Sequence, residues 1–119
     1  MEDFKRRTFG DVRMEFVNLT RATFKEAGEL KGRLNEDIDY GFKKIIIDIS
    51  KCEFIDSTFL GVLVLTLKNI SKNGGNIHLV KPPPPILKMM EMVGTLKIFD
   101  TFETLDDAFI SFNHSKIIT

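Results

Sequence analysis

The sequence predicts an α/β domain built on a mixed, mostly parallel central sheet, and three observations carry that reading. Segments with strand periodicity alternate with segments of helical periodicity, an order that implies parallel crossovers with helices packed on the sheet. One short run, Ile45-Ile46-Ile47-Asp48-Ile49-Ser50, is β-branched and almost continuously apolar, as a central strand covered on both faces should be. The 119 residues suit a single domain, 1–119, and a core of that size buries roughly two-thirds of the unfolded chain's surface without a metal or disulfide.

The first two strands form a hairpin. Phe4 to Phe9 and Val12 to Leu19 flank the turn-forming pair Gly10-Asp11, and Val12, Met14 and Phe16 alternate with Arg13 and Glu15 as in a half-buried strand. From Thr20 to Asp39 the period changes. Phe24, Ala27, Leu30 or Lys31, Leu34 and Ile38 recur at helical intervals, Thr20 or Thr23 can cap the start, and Gly41 ends the helix. Gly28 and Gly32 weaken it by up to ~1 kcal/mol each relative to alanine, which suggests close packing against the sheet. After the central strand, Asp56-Ser57 opens a run to Asn73 that is too long for a strand and stops at Gly74-Gly75, hence a largely buried helix. Asn76 to Val80 is a short strand. Pro82 to Pro85 forms a stiff connection rather than a polyproline ligand, and Pro85 suits the first turn of a helix carrying Ile86, Met89, Met90 and Val93. Met89, Met90 and Met92 are expected at or near the core. Ile98 to Phe102 is a last short strand, and Thr104 caps a helix with Leu105, Ala108, Phe109 and Phe112 on its apolar face. The order is β-β-α-β-α-β-α-β-α, about five strands and four helices.

Composition excludes several functions. Lys plus Arg equals Asp plus Glu at 17 each, without the basic excess of a nucleic-acid binder. A zero net charge is compatible with self-association without requiring it. Cys52 is the only cysteine, so neither a disulfide framework nor a cysteine cluster for zinc is expected, and no cofactor is implied. The longest apolar stretch, Phe59 to Leu67, is about half the ~20 residues that span a bilayer, and no apolar signal follows Met1 to Arg7. Cytoplasm is the expected compartment, with no membrane partner.

Chemistry concentrates at Asp56-Ser57-Thr58. A serine opening a buried helix caps it and keeps its hydroxyl near the surface, where unpaired amides and the positive helix end favour a phosphate. Spacing alone makes Ser57 simply a cap. Catalysis finds little support: no Gly-x-Ser-x-Gly elbow surrounds Ser57, and neither His78 nor His114 is an evident base. Asp48 lacks the acidic cluster of a magnesium-dependent phosphoacceptor and is read as a loop brace.

From Asn18 onward the chain resembles a STAS domain of the anti-sigma factor antagonist family. Lys43 to Ser50 followed by Phe54-Ile55-Asp56-Ser57-Thr58-Phe59-Leu60-Gly61-Val62-Leu63-Val64 is similar to the family's most characteristic motif. Gly74-Gly75, Lys81-Pro82, Met92-Val93-Gly94 and Phe99 to Ala108 recur in the family's order. The resemblance implies a single STAS-like domain that is not an enzyme. It implies binding to an anti-sigma factor that is also a serine kinase, release on phosphorylation of Ser57 (Thr58 being the lesser candidate), and reset by a phosphatase. It places Asp56, Ser57, Thr58, Phe59 and Asn18 at the partner surface. The chain departs from the pattern at Phe59, where a glycine is usual and bulk is expected beside the phosphosite, and at Asn18, where many members carry aspartate. The alternative is a scaffold module of stressosome type in which the serine is only a helix cap.

Overall fold

The computed structural model describes residues 2–117, with side chains to Phe112. The elements are β1 (Phe4–Phe9), β2 (Val12–Val17), β3 (Arg21–Ala22), α1 (Phe24–Asp39), β4 (Lys44–Asp48), β5 (Phe54–Ile55), α2 (Ser57–Lys72), β6 (Asn76–Val80), α3 (Pro84–Met92), β7 (Asp100–Phe102) and α4 (Leu105–Ile117). The main sheet has the order β1-β2-β4-β6-β7. Only the β1–β2 hairpin is antiparallel; every other pairing in it is parallel. This is the mixed, mostly parallel sheet with four helices that the sequence predicts.

β4 lies at the centre because its side chains satisfy both faces at once. Ile45, Ile47 and the following Ile49 join Leu30 and Leu34 of α1, Phe59 and Leu63 of α2 and Met90 of α3 in the larger core, while Ile46 faces Ala108 and Phe112 of α4. Three helices therefore cover one face and α4 alone the other. α4 is also tied to β6, where His78 stacks on Phe112 at 3.5 Å between ring centroids and its Nδ1 lies 3.0 Å from the Ala108 carbonyl. Burial lowers the His78 pKa, against that hydrogen bond and Asp100.

β2 departs from simple alternation. Glu15 was expected on a polar face, yet it is buried, because α1 covers that side too. Its charge is met by Arg6 at 2.8 Å and Arg33 at 3.5 Å. Asp37 of α1, fully buried, lies 2.8 Å from Arg13 and 3.6 Å from Arg6, with Glu36 3.2 Å from Arg6 at the rim. Neither Asp37 oxygen has an aligned hydrogen bond. Burial, and then Glu15, push the Asp37 carboxyl up to about 8 against the pull of Arg6 and Arg13.

Other local readings are corrected by the fold. Of the two caps the sequence offers for α1, Thr23 is the one used, and the helix starts at Phe24 instead of near Thr20 because Arg21–Ala22 is drawn into a two-residue parallel pair with Phe54–Ile55. Gly28 and Gly32 do not mediate close packing: a Cβ at either would meet nothing within 4 Å. The close approach is at Gly75, where a Cβ would lie 2.6 Å from the Lys43 carbonyl oxygen and from Ile70 Cγ1, just after Gly74 has closed α2 at φ 80°. Leu96–Ile98 is a 3₁₀ turn that shortens the last strand to Asp100–Phe102. Met90 is buried, but Met92 is exposed at the end of α3.

Two outcomes follow from this packing. Gly28→Ala and Gly32→Ala each raise unfolding free energy by about 0.5–1 kcal/mol in urea titrations, whereas Gly75→Ala lowers it by about 1–3 kcal/mol. The Asp37 carboxyl, raised in the fold above the usual value of about 4, retains a proton there that the unfolded chain releases. Its contribution to stability is full below about pH 4 and is lost as pH rises toward 8. The wild type therefore loses stability relative to Asp37→Asn between about pH 5 and 8, measured by urea unfolding across that range.

Candidate functional site

The loop from β5 into α2 carries the motif, and its geometry centres on Asp56. Asp56, not Ser57, is the N-cap of α2: its Oδ1 accepts the Phe59 amide at 2.9 Å and its backbone is extended. Its other oxygen, Oδ2, accepts the Phe24 amide at 2.7 Å, at the first residue of α1. One carboxylate thus satisfies amides at the starts of two helices, each of which would otherwise lack an internal partner.

The neighbouring backbone sets this up. β3 and β5 pair in register, Arg21 with Phe54 and Ala22 with Ile55, and the Asp56 amide donates to the Ala22 carbonyl at 3.1 Å. Thr23 caps α1 in a capping box with Glu26, whose Oε1 accepts the Thr23 amide at 2.9 Å. Both helix starts therefore meet at one end of the sheet, which is where the carboxylate bridges them.

Ser57 and Thr58 occupy the first turn of α2 and are exposed. The Ser57 hydroxyl has no hydrogen-bond partner among the described residues, and the amides of Ser57 and Thr58 are likewise free there. The arrangement can accept a phosphoryl group at an exposed hydroxyl on a positive helix end. Phe59 turns the other way. Expected at the partner surface with bulk beside the serine, it is instead 0% exposed, packed in the core as the first residue of a stripe continued by Leu63, Leu67 and Ile70. Its helical spacing from those residues was the signal for this direction.

The surface beside the serine is apolar at two positions that sequence reasoning did not assign to it. Phe24, expected on the buried face of α1, is 66% exposed, and Phe54 is exposed with the Arg21 guanidinium 4.3 Å from its ring centroid. The Thr23-x-x-Glu26 capping box could have placed Phe24 at the helix start. Asn18 lies past the end of β2, donating to the Glu2 carbonyl at 3.2 Å and accepting from Lys51 Nζ at 3.4 Å. None of its side-chain contacts is to Asp56, Ser57 or Thr58.

The remaining chemical candidates are committed elsewhere. Asp48 Oδ1 accepts the Ser50 amide at 3.0 Å and hydroxyl at 2.6 Å, bracing the loop as expected. Cys52 is buried beneath that loop, and burial, then Asp48, push its thiol up to about 12, where it is inert. His78 is held against α4, on the face of the sheet away from α2, and offers Ser57 no base. The side chain of His114 lies outside the described residues. Among the described residues no helix is long and apolar enough to cross a membrane.

Comparison with known proteins agrees with this architecture. A Thermotoga maritima protein provisionally named an anti-sigma factor antagonist is 34% identical over 74 residues, covering 62% of this chain and 66% of the relative. The alignment thus spans just under two thirds of that relative's length. A crystal structure from T. maritima, of a protein with the same provisional description, superposes with a TM-score of 0.81 at 26% identity, covering 91% of this chain and 92% of that one. The Bacillus cell fate determinant SpoIIAA in its phosphorylated form shares the fold, with a TM-score of 0.73 at 15% identity, covering 92% of this chain and 98% of that one. The family model for the STAS domain matches residues 21–108, a span that includes both helix starts and the Asp56-Ser57 motif. The chain belongs to the STAS domain family.

Proposed function

We propose that this protein is an anti-sigma factor antagonist that binds an anti-sigma factor with serine kinase activity, and that phosphorylation of Ser57 releases it. The observation that carries the reading is the Ser57 hydroxyl, exposed and unpartnered on the first turn of α2 beside the Asp56 cap. The names of the T. maritima relatives support the partner class. That SpoIIAA, of the same fold, is known in a phosphorylated form supports the mode of control.

In the unmodified state a neutral hydroxyl is exposed next to Thr58 on a helix start whose cap, Asp56, also binds the Phe24 amide, and the rings of Phe24 and Phe54 are exposed. These groups form a contact patch with apolar flanks and a polar centre. The partner kinase transfers the γ-phosphoryl group of ATP to Ser57 Oγ, the hydroxyl proton leaves to a base of the kinase, and ADP departs. The phosphoserine adds about two negative charges at the helix start, where the free amides of Ser57 and Thr58 stabilise it. Docking is then opposed by the cost of desolvating that charge and by its repulsion from partner acids. Asp56, whose two oxygens are already engaged by amides, holds the helix start in place through the modification. Hydrolysis by a phosphatase restores the binding form. The switch needs a local change of charge and no change of fold.

Incubation with the cognate kinase and ATP, followed by tandem mass spectrometry, places the phosphate on Ser57; Ser57→Ala abolishes labelling and Thr58→Ala retains it. The phosphorylated protein binds the kinase at least about tenfold more weakly than the unmodified form. Absence of label at Ser57 together with absence of a kinase complex would favour the scaffold alternative, in which the first turn of α2 is purely structural.

A further inference from the structure

Helix α4 lies over β4, β6 and β7 and packs on Val12 and Met14 of β2, which leaves β1, the outer strand of the hairpin, exposed on this face. On that open side β1 presents Lys5, Arg7 and Phe9, paired across the strands with Phe16, Met14 and Val12 of β2. The near flank of α4 contributes Leu105 and Phe109, and Phe9, 67% exposed, meets Phe109 edge-on at 5.2 Å between centroids. Two adjoining depressions share Leu105. One, of about 300 Å³, is lined by Lys5, Arg7, Phe16, Asn18, Lys51 and Leu105. The other, of about 260 Å³, is lined by Phe9, Met14, Leu105, Asp106 and Phe109. Together they form a groove between the hairpin and α4.

The charges in this groove are unbalanced. Lys5 and Arg7 have no ion-pair or hydrogen-bond partner among the described residues, and Lys51 touches only the Asn18 amide oxygen. Among the described residues no carboxylate lines the depression that holds these three cations; Asp106 lies on the α4 wall of the apolar depression, and Asp48, beside Phe16 on the same face, is taken up by Ser50. Elsewhere on the hairpin the cations are matched: Arg6 and Arg13, on the opposite face, are engaged by Glu15 and Asp37.

We propose that this groove is a second docking surface and that its occupant is an acidic amphipathic helix of another protein. The apolar floor of Met14, Phe16, Leu105 and Phe109 takes the helix's apolar stripe, and Lys5, Arg7 and Lys51 take acids on its flank. The cations are spread along strand and loop rather than converging on one point, which suits side chains spaced on a helix better than a single small anion. From Lys5 to Phe9 the strand runs about 13 Å, the length of roughly two and a half helical turns. α4 itself shows that this face accepts a helix, and a second one alongside, at the usual ~8–10 Å between axes, completes the layer. Met14 and Phe16 sit within the depression and Phe9 alone among these apolar groups stands well exposed, which disfavours a flat lipid surface. The surface lies on the sheet face opposite α2 and shares only Asn18 with the partner surface of the Ser57 reading, so its occupation does not depend on phosphorylation of Ser57.

The test uses the full-length protein and a fluorescein-labelled peptide of roughly 18 residues, about five turns, with leucine at helical spacing and glutamate elsewhere. Controls are a version with lysine for glutamate and a scrambled acidic version lacking the periodicity. The acidic amphipathic peptide gives saturable anisotropy, and amide shifts in ¹⁵N spectra fall on β1, β2 and the start of α4 while Ser57 and Thr58 stay unmoved. The double variant Lys5→Glu/Arg7→Glu weakens binding at least about tenfold with its melting transition unchanged, because both side chains are exposed and unpaired, and Phe9→Ser, which also gives up the edge-on contact with Phe109, weakens it severalfold. Equal binding of the scrambled peptide would overturn the proposal in favour of a simple anion site. So would binding to phosphatidylglycerol vesicles without binding to the peptide, self-association that shifts the same amides, indifference to charge reversal, or shifts centred on α2.

Discussion

The two hydrogen bonds accepted by the Asp56 carboxylate, from the amides of Phe24 and Phe59, hold this structure's working end together. α1 and α2 pack side by side on one face of the sheet, and each begins where the chain leaves a two-residue strand. Without a shared acceptor, each start would expose an amide with no internal partner. With it, the two starts are fixed to one atom group, and Ser57 is presented on a rigid first turn with its hydroxyl free. The bond is also charge-assisted at the positive ends of two helices, the setting in which a carboxylate is most stabilising.

That arrangement explains how a small chain can present an exposed serine hydroxyl without weakening its core. Phe59, two residues after the serine, is anchored under α2 among Ile45, Ile47 and Leu63, so the exposed and buried sides of the same helical turn are separated cleanly. The other end of α1 is held by a different device, the buried cluster of Asp37 and Glu15 with Arg6, Arg13 and Arg33, in which burial and Glu15 hold Asp37 toward its protonated form. Such a network ties register and orientation more than it adds stability, since desolvation offsets much of its attraction. α1 is therefore pinned at its start by the hydrogen bond from the Phe24 amide to Asp56 and toward its end by the polar contacts of Asp37 and Arg33 with the hairpin.

The broad fold was legible because its decisive segments carry strong, one-sided patterns. The isoleucine run of β4 admits little else than a covered strand, and the stop at Gly74-Gly75 delimits α2. The finer geometry was not. β3 and β5 are too short for any periodicity to reveal, and they exist only because each completes the other. Asp56 and Ser57 are equally good caps by residue type, so only the folded turn decides between them. Glu15 and Arg13 look like the solvent side of a strand, and their burial depends on α1 arriving from elsewhere in the chain with Asp37. Phe24 fits a helical stripe on paper but stands at the first residue of α1, beyond the sheet it would need to cover. The motif serine was found; the carboxylate's double role and the aromatic flanks were tertiary facts.

The central claim, that one carboxylate secures both helix starts, is tested most directly by amide hydrogen exchange of Asp56→Ala beside the wild type. In the wild type the Phe24 and Phe59 amides are both protected. In the variant both exchange faster, while the amides of β4 and β6 keep their protection. Faster exchange at Phe59 alone, with Phe24 still protected, would show that α1 is held by something other than Asp56 and would contradict the shared-cap structure.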